Sequence, residues 1–162
     1  MARTPAGTPA TRLLQKAGVD YEVHPYHVDP RAASYAEEAA AALGVDPGIV
    51  FKTLVAQVDG GPVLTLVPTD AQLDLKALAA ALGGARAQLA EPALAERLTG
   101  YVVGGISALG TRRPLPTVAD ESLAAVPTVY LSAGKRGLQV SLSSADLLRI
   151  AEARLAAIAR RR

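Results

Sequence analysis

No cysteine occurs in the 162-residue chain, which excludes disulfides, thiolate metal sites and a cysteine nucleophile. Tryptophan is also missing and phenylalanine appears once, so a chain that is half hydrophobic has to build its core from Ala, Leu and Val. The opening stretch, Met1-Ala-Arg-Thr-Pro-Ala-Gly-Thr-Pro9, lacks the apolar centre of a secretory signal, and no apolar run approaches membrane-spanning length. The expectation is a cytoplasmic protein with no membrane partner. This length suits one domain over residues 1–162, large enough to bury a core without covalent staples.

Familiar nucleotide and hydrolase motifs are missing too. The glycine-rich stretch Gly100-Tyr-Val-Val-Gly-Gly-Ile-Ser-Ala-Leu-Gly110 is followed by Thr111-Arg112, not by the Lys-Ser/Thr of a phosphate-cradling loop. It contains no G-x-G-x-x-G, and Leu109 stands where a nucleophile elbow needs its last glycine. A glycine pair can still turn backbone N–H groups toward a carbonyl oxygen or phosphate. From these residues alone, a bulge or tight turn is the simpler account. His24 and His27, three apart with Pro25 between them, do not form a metal pair, because that spacing puts strand side chains on opposite faces. No metal or cofactor is expected.

The net charge of +2 is unevenly spread: residues 1–100 carry 8 Lys/Arg against 11 Asp/Glu, and residues 101–162 carry 9 against 4. The basic end fits a polyanionic partner. A solvated surface explains the charge alone equally well.

Local signals mark mixed α and β elements. Thr8-Pro9 starts a helix that Gly18 ends, and Tyr21–Tyr26 alternates as a short edge strand. Ser34-Tyr-Ala-Glu37 reads as a capping box for an Ala-rich helix closed by Gly44. Asp59-Gly60-Gly61 joins Phe51–Val58 to Val63–Val67 as an antiparallel hairpin. Asp74 caps a helix over Leu75–Leu82, Ala85–Leu89 is a further strand, and Glu91-Pro92 opens a helix through Leu98 leading to a strand at Tyr101. Thr117–Ala119 forms a brief strand, and a second hairpin turns at Gly134-Lys-Arg-Gly137. A last helix begins at Ser143 and places Leu147, Ile150, Ala151, Leu155 and Ile158 at helical spacing. The sum is a single mixed α/β domain with antiparallel hairpins.

Within it, Val50-Phe-Lys-Thr-Leu-Val55 is unusual: Lys52 shares a strand face with Val50 and Leu54. Such an ammonium snorkels to water, finds a partner or lines a cavity, and snorkelling is the commoner case for any single lysine. Asp120 reads most simply as the cap of a helical turn around Glu121–Ala125.

Taken together, Val50-Phe-Lys-Thr-Leu-Val55, Gln72-Leu-Asp-Leu-Lys76, Gly100-Tyr-Val-Val-Gly-Gly-Ile-Ser107, Leu115-Pro-Thr117 and Gly134-Lys-Arg-Gly-Leu138 resemble the YbaK/EbsC family of aminoacyl-tRNA deacylases. The resemblance runs roughly from Thr8 to Arg161. It implies a partly barrel-like, largely antiparallel sheet surrounded by helices, similar to the editing domain of bacterial prolyl-tRNA synthetases. The closest branch hydrolyses Cys-tRNA(Pro), and prolyl-tRNA synthetase is the implied partner.

The resemblance also implies residue roles. Lys52 holds the terminal adenosine and the ester, with Thr53 beside it. Tyr26 and Tyr35 lie near the aminoacyl group. Gly104, Gly105, Ile106 and Ser107 face the ester carbonyl and ribose, and Asp120 is an acidic site position. Lys135 and Arg136 are expected to meet the tRNA acceptor stem. Two departures stand out: Ala108 replaces a proline, and Gln139 stands where an Asp often follows Gly-Lys-Arg-Gly-Leu.

Overall fold

The computed structural model describes residues 7–29, 31 and 35–161. In chain order the elements are α1 (Pro9–Ala17), β1 (Tyr21–Pro25), α2 (Tyr35–Leu43), β2 (Phe51–Val58), β3 (Gly61–Pro68), β4 (Ala71–Leu73), α3 (Leu75–Ala81), β5 (Ala87–Leu89) and α4 (Pro92–Thr99). They continue with β6 (Thr117–Asp120), β7 (Thr128–Lys135), β8 (Leu138–Ser143), α5 (Ser144–Ile150), β9 (Ala153–Ala156) and β10 (Ala159–Arg161). Short 3-10 turns precede β2 (Pro47–Ile49) and follow β6 (Glu121–Ala125).

The strands form a five-stranded mixed sheet ordered β5-β2-β3-β6-β9, a three-stranded antiparallel sheet ordered β1-β8-β7, and the pair β10-β4. Within the largest sheet, β3–β6 and β6–β9 are parallel, whereas β2 pairs antiparallel with β3 and β5. A parallel bridge between Val50 and Tyr130 links the residue just before β2 to β7, so the two larger sheets are joined without closing a barrel. Among the described residues, no helix is long and apolar enough to cross a membrane.

Local chemistry accounts for most of these boundaries. Thr8 and Thr11 form a reciprocal capping box at the start of α1, and Gly18 ends it in the left-handed region. Asp59 and Gly60 both adopt positive φ, at 51° and 85°, which is the geometry of a two-residue hairpin turn matched to strand twist. The expected cap at Ser34 lies outside the described residues, although α2 runs from Tyr35 and Gly44 follows it at φ 67°.

The central strand β3 is buried from Val63 through Pro68. That continuous run of Val, Leu, Thr and Pro suits a strand covered on both faces. Each large apolar side chain there contributes about 1.5–3 kcal/mol by leaving water. Thr65 is tolerated because its hydroxyl donates to Leu54 O at 2.9 Å.

Two expectations are corrected. Tyr101 begins no strand: residues 101–116 are irregular, pinned at their ends where Arg112 N and Arg113 N donate to Thr99 O and Leu98 O. The last helix is also shorter than its apolar spacing implies. It stops at Ile150, and Glu152 turns the chain with φ 51° into β9 and β10, leaving Leu155 on an edge strand and Ile158 buried. The physical reason is Asp120, whose Oδ1 accepts from Ile158 N at 3.1 Å and Ala159 N at 3.0 Å. That tether, with parallel pairing of β9 on β6, outweighs the weak preference for more helix.

Candidate active site

A cavity of about 450 Å³ opens where the two larger sheets meet. Its floor is β2 from Phe51 to Val55. One wall comes from Ala90, just after β5, and from Pro92 and Ala95 of α4; another is the 103–106 loop; the far side carries Ser132 of β7 and Gln139 of β8. The floor is held at its start by Thr69, whose hydroxyl and amide both donate to Val50 O, at 2.7 and 2.8 Å.

Lys52 and Thr53 both line this cavity, as do Tyr26, Tyr35, Gly104 and Ile106. The structure therefore brings six of the expected residues to one place. Thr53 Oγ1 is buried and has no hydrogen-bond partner among the described residues.

Burial pushes the Tyr26 phenol above its ordinary range. A hydrogen bond with the Gly137 backbone pulls the other way, Glu38 adds to the rise, and Arg136 and the Gln139 amide oppose it. The phenol is thus neutral near pH 7 and can donate a hydrogen bond.

The glycine stretch forms a tight turn in which Gly105 N donates to Val102 O at 2.8 Å. That amide is not available to a ligand, which corrects its expected role at the ester. A side chain on Gly105 would meet Lys135 Cα and Arg136 N at 2.8 Å, so glycine here lets the loop backbone press on the β7–β8 turn. The far end of the loop is fixed in the same way: a Cβ on Gly110 would lie 2.6 Å from the carbonyl carbon of Pro9. Tyr101, buried within the loop, donates its hydroxyl to Leu109 O at 2.7 Å. A segment without regular structure is thereby made a rigid wall.

Ser107 is fully buried and its hydroxyl accepts from Leu109 N at 3.2 Å, placing it behind the wall and off the cavity lining. Ala108, in place of the family's proline, is packed in the same core. Asp120 is also displaced from its expected role. Its carboxylate accepts from the Ser122 amide and hydroxyl as well as from Ile158 N and Ala159 N, and it does not line the cavity. It is a structural acid.

Arg136, expected at the tRNA, is engaged by its own chain. One guanidinium nitrogen donates to Asp29 O at 2.8 Å and to Glu38 Oε1 at 3.2 Å, and the group stacks on Tyr35. The side chain braces Tyr35 at the cavity mouth, whereas Lys135 beside it is exposed. Gln139, marked in the sequence only as a departure from the family pattern, proves to be a buried cavity residue. Alternation along β8 could have pointed to it, but not to which sheet face meets β2.

Residues 29–150 match the model of the aminoacyl-tRNA editing domain. The chain belongs to that family. It is 33% identical over 157 residues to an Enterococcus faecalis protein, EbsC, provisionally named a Cys-tRNA(Pro)/Cys-tRNA(Cys) deacylase, covering 96% of this chain and 95% of that one. It is 35% identical over 148 residues to the Escherichia coli K12 multifunctional Ser/Thr-tRNA deacylase ProXp-y, covering 88% and 86%. A 105-residue match to the proline–tRNA ligase of Geobacter sp. strain M21, 35% identical, takes in 60% of this chain and 18% of that enzyme.

Among solved structures, one provisionally described as a trans-editing enzyme for prolyl tRNA synthetase superposes with a TM-score of 0.80 at 28% identity, covering 96% of this chain and 99% of that one. A second, hypothetical protein APE2540, has a TM-score of 0.84 at 24% identity, covers 94% of this chain and 100% of that one, and supports the fold alone. The editing domain family therefore places the chain among aminoacyl-tRNA deacylases.

Proposed function

We propose that the protein is a trans-editing deacylase over the whole of residues 1–162, acting in the cytoplasm on Cys-tRNA(Pro), the product of mistaking cysteine for proline. The observation that carries this reading is the convergence of Lys52, Thr53 and Gly104 on one cavity large enough for an aminoacyl ester. Small side chains cannot be rejected well enough on binding, so a second site that destroys the wrong ester restores fidelity.

The chain offers no cysteine of its own, and among the described residues no nucleophile–base–orienter set lines the cavity. The substrate's thiol takes that part. Its sulfur attacks the ester carbonyl carbon, the bond from that carbon to the ribose oxygen breaks, the thiol proton passes to that oxygen, and a cyclic thiolactone leaves. The protein positions the two groups and stabilises the developing oxyanion with the Lys52 ammonium and the backbone along Gly104 and Ile106. Lys135 and the arginines near the C-terminus supply phosphate contacts, and prolyl-tRNA synthetase supplies tRNA selection.

A second reading, hydrolysis of seryl or threonyl esters by water, is supported by the 35% identity to ProXp-y. One experiment separates these readings. tRNA(Pro) charged with Cys, Ala or Ser is incubated with the protein and with Lys52→Ala. Rapid release of Cys, much slower release of Ser and loss of both in the variant are expected. Equal rates for Cys and Ser would sink the thiol mechanism, and no release at all would sink the deacylase reading in favour of a non-catalytic tRNA-binding module.

A further inference from the structure

The positive charges of the chain are not neutralised evenly. Residues 7–19 and 97–119 hold Arg12, Lys16, Arg97, Arg112 and Arg113 and no Asp or Glu. All five cations are exposed, and none has an ion pair among the described residues. Arg136, Arg149 and Arg161, by contrast, are held by the carboxylates of Glu38, Asp146 and Asp70. Glu96, next to Arg97, is engaged by the loop, where it accepts from Val103 N at 2.8 Å.

The fold joins the two segments. Gly110 packs against the Pro9 carbonyl at the start of α1, while the amides of Arg112 and Arg113 donate to Thr99 O and Leu98 O at the end of α4. The Arg112 side chain lies over Gly100, its Nε 3.5 Å from where a Cβ there would stand. The Arg12 charge acts on the Tyr101 phenol, whose hydroxyl donates to Leu109 O beside Gly110. Arg12 and Lys16, four apart on α1, share one helix face.

This basic face is on the cavity's side of the large sheet. Along β3, Leu64 and Leu66 belong to one apolar cluster and Val63 and Val67 to another, so the clusters occupy opposite faces. Ala10 and Leu14 of α1 and Leu98 of α4 pack in the Leu64 cluster, as do Phe51, Val55 and Ala95, which line the cavity. Leu78 of α3 packs in the other. The first turn of α4 lies at the cavity through Pro92 and Ala95, and the helix runs about 12 Å to the arginines at its far end.

We propose that Arg12, Lys16, Arg97, Arg112 and Arg113 form a phosphate track for the tRNA acceptor end whose 3′ terminus enters the cavity. The inference rests on the aminoacyl-tRNA reading and adds to it a binding surface on α1 and α4. A ribose–phosphate backbone is a polyanion tethered to the ester, so it must leave the cavity over a neighbouring face, and this face carries charge of one sign without carboxylates to compete. Phosphate contacts position a nucleic acid without reading its sequence, so the track holds the acceptor ends of different tRNAs alike.

The test uses an uncharged hairpin RNA with a base-paired stem and a single-stranded 3′ tail, its affinity followed by fluorescence anisotropy across a range of salt. Arg12→Gln/Lys16→Gln and Arg112→Gln/Arg113→Gln are each expected to weaken binding at least about tenfold near 0.1 M salt and to lower the slope of log affinity against log salt by about 1.5–2. Arg112→Lys/Arg113→Lys, which keeps the charge, should retain the slope. Lys76→Gln, exposed on α3 against the opposite face of the sheet, should leave it unchanged. A second hairpin with a different stem sequence should bind within about threefold of the first.

An unchanged slope in both glutamine pairs overturns the proposal, as does an equal loss in Lys76→Gln. A slope lost in the lysine pair as well would assign the effect to structure and overturn it, a comparison that stands where a glutamine variant fails to fold. Tighter binding of poly-glutamate than of the hairpin would give the face to an acidic protein segment and overturn it too. Release of amino acid from charged tRNA(Pro), measured alongside, keeps the two readings apart: release with an unchanged slope removes only the track, whereas a lowered slope without release supports the track and removes the deacylase reading.

Discussion

The guanidinium carbon of Arg136 lies 4.4 Å from the centre of the Tyr35 ring, while a nitrogen of the same group bonds Glu38 Oε1 at 3.2 Å. Tyr35 is 40% exposed at the cavity mouth, so this stack fixes an otherwise loose aromatic against the 103–106 loop. Stacking and bonding together need a planar, forked cation, which lysine does not provide. Arg136→Ala and Arg136→Lys are both expected to raise KM roughly fivefold with a smaller change in kcat. Glu38→Gln should act in the same direction, and the Arg136→Ala/Glu38→Gln double variant should be no worse than Arg136→Ala. Additive losses would argue that the two residues act separately.

Lys135, exposed on the same turn, should behave differently. Lys135→Ala is expected to weaken tRNA binding and lower the slope of log affinity against log salt by about 1. Arg136→Ala should leave that slope unchanged. Titrations at several salt concentrations distinguish the two residues, and a slope altered by Arg136 alone would reverse the assignment.

Asp120 is buried and accepts hydrogen bonds from four groups, none on the cavity wall. Asp120→Ala leaves those donors unpaired and should cost roughly 2–4 kcal/mol of stability, read as a lowered denaturation midpoint. Activity per folded molecule should be close to unmodified. A large fall in kcat with stability unchanged would return Asp120 to the active site.

Gly105→Ala would bring a methyl within 2.8 Å of Lys135 Cα and Arg136 N, atoms that cannot swing aside. The expected destabilisation is about 1–3 kcal/mol, which for a chain of this size lowers Tm by several degrees. Calorimetry provides the measurement, and an unchanged Tm would mean the loop can stand off the β7–β8 turn.

Tyr101 supplies a pH dependence of stability. Burial pushes its phenol up to about 12, against opposing effects from the Ala10 backbone and Arg12, while an unfolded tyrosine titrates near 10. The raised value means the unfolded chain loses this proton first. Stability attributable to Tyr101 is therefore complete below about pH 10 and falls as pH rises toward about 12. Urea midpoints at pH 9 and pH 11 should differ more for the unmodified protein than for Tyr101→Phe. Identical differences would place the alkaline sensitivity elsewhere.

Elements closed by chemistry within a few residues were legible from the sequence. Thr8 before Pro9, Asp59 with Gly60 and Asp74 before Leu75 fix their caps and turn by local hydrogen bonds and φ preferences. The same holds for Lys52, Thr53 and Gly104, whose order and spacing carried the family resemblance to a cavity that they do line. The periodic reading failed where distant partners intervene. Leu155 and Ile158 keep helical spacing, yet Asp120, 38 and 39 residues before Ile158 and Ala159, holds that segment extended.

The sequence by itself determined the local elements, the absence of a cysteine nucleophile and the resemblance to an editing domain. Only the tertiary structure decided that Ser107 and Asp120 are structural, that Arg136 braces Tyr35, and that Gln139 joins Thr53 on the cavity wall. The reason is physical: a cap or turn is set by neighbours along the chain, whereas the partner of a buried polar atom depends on which strands the fold brings face to face.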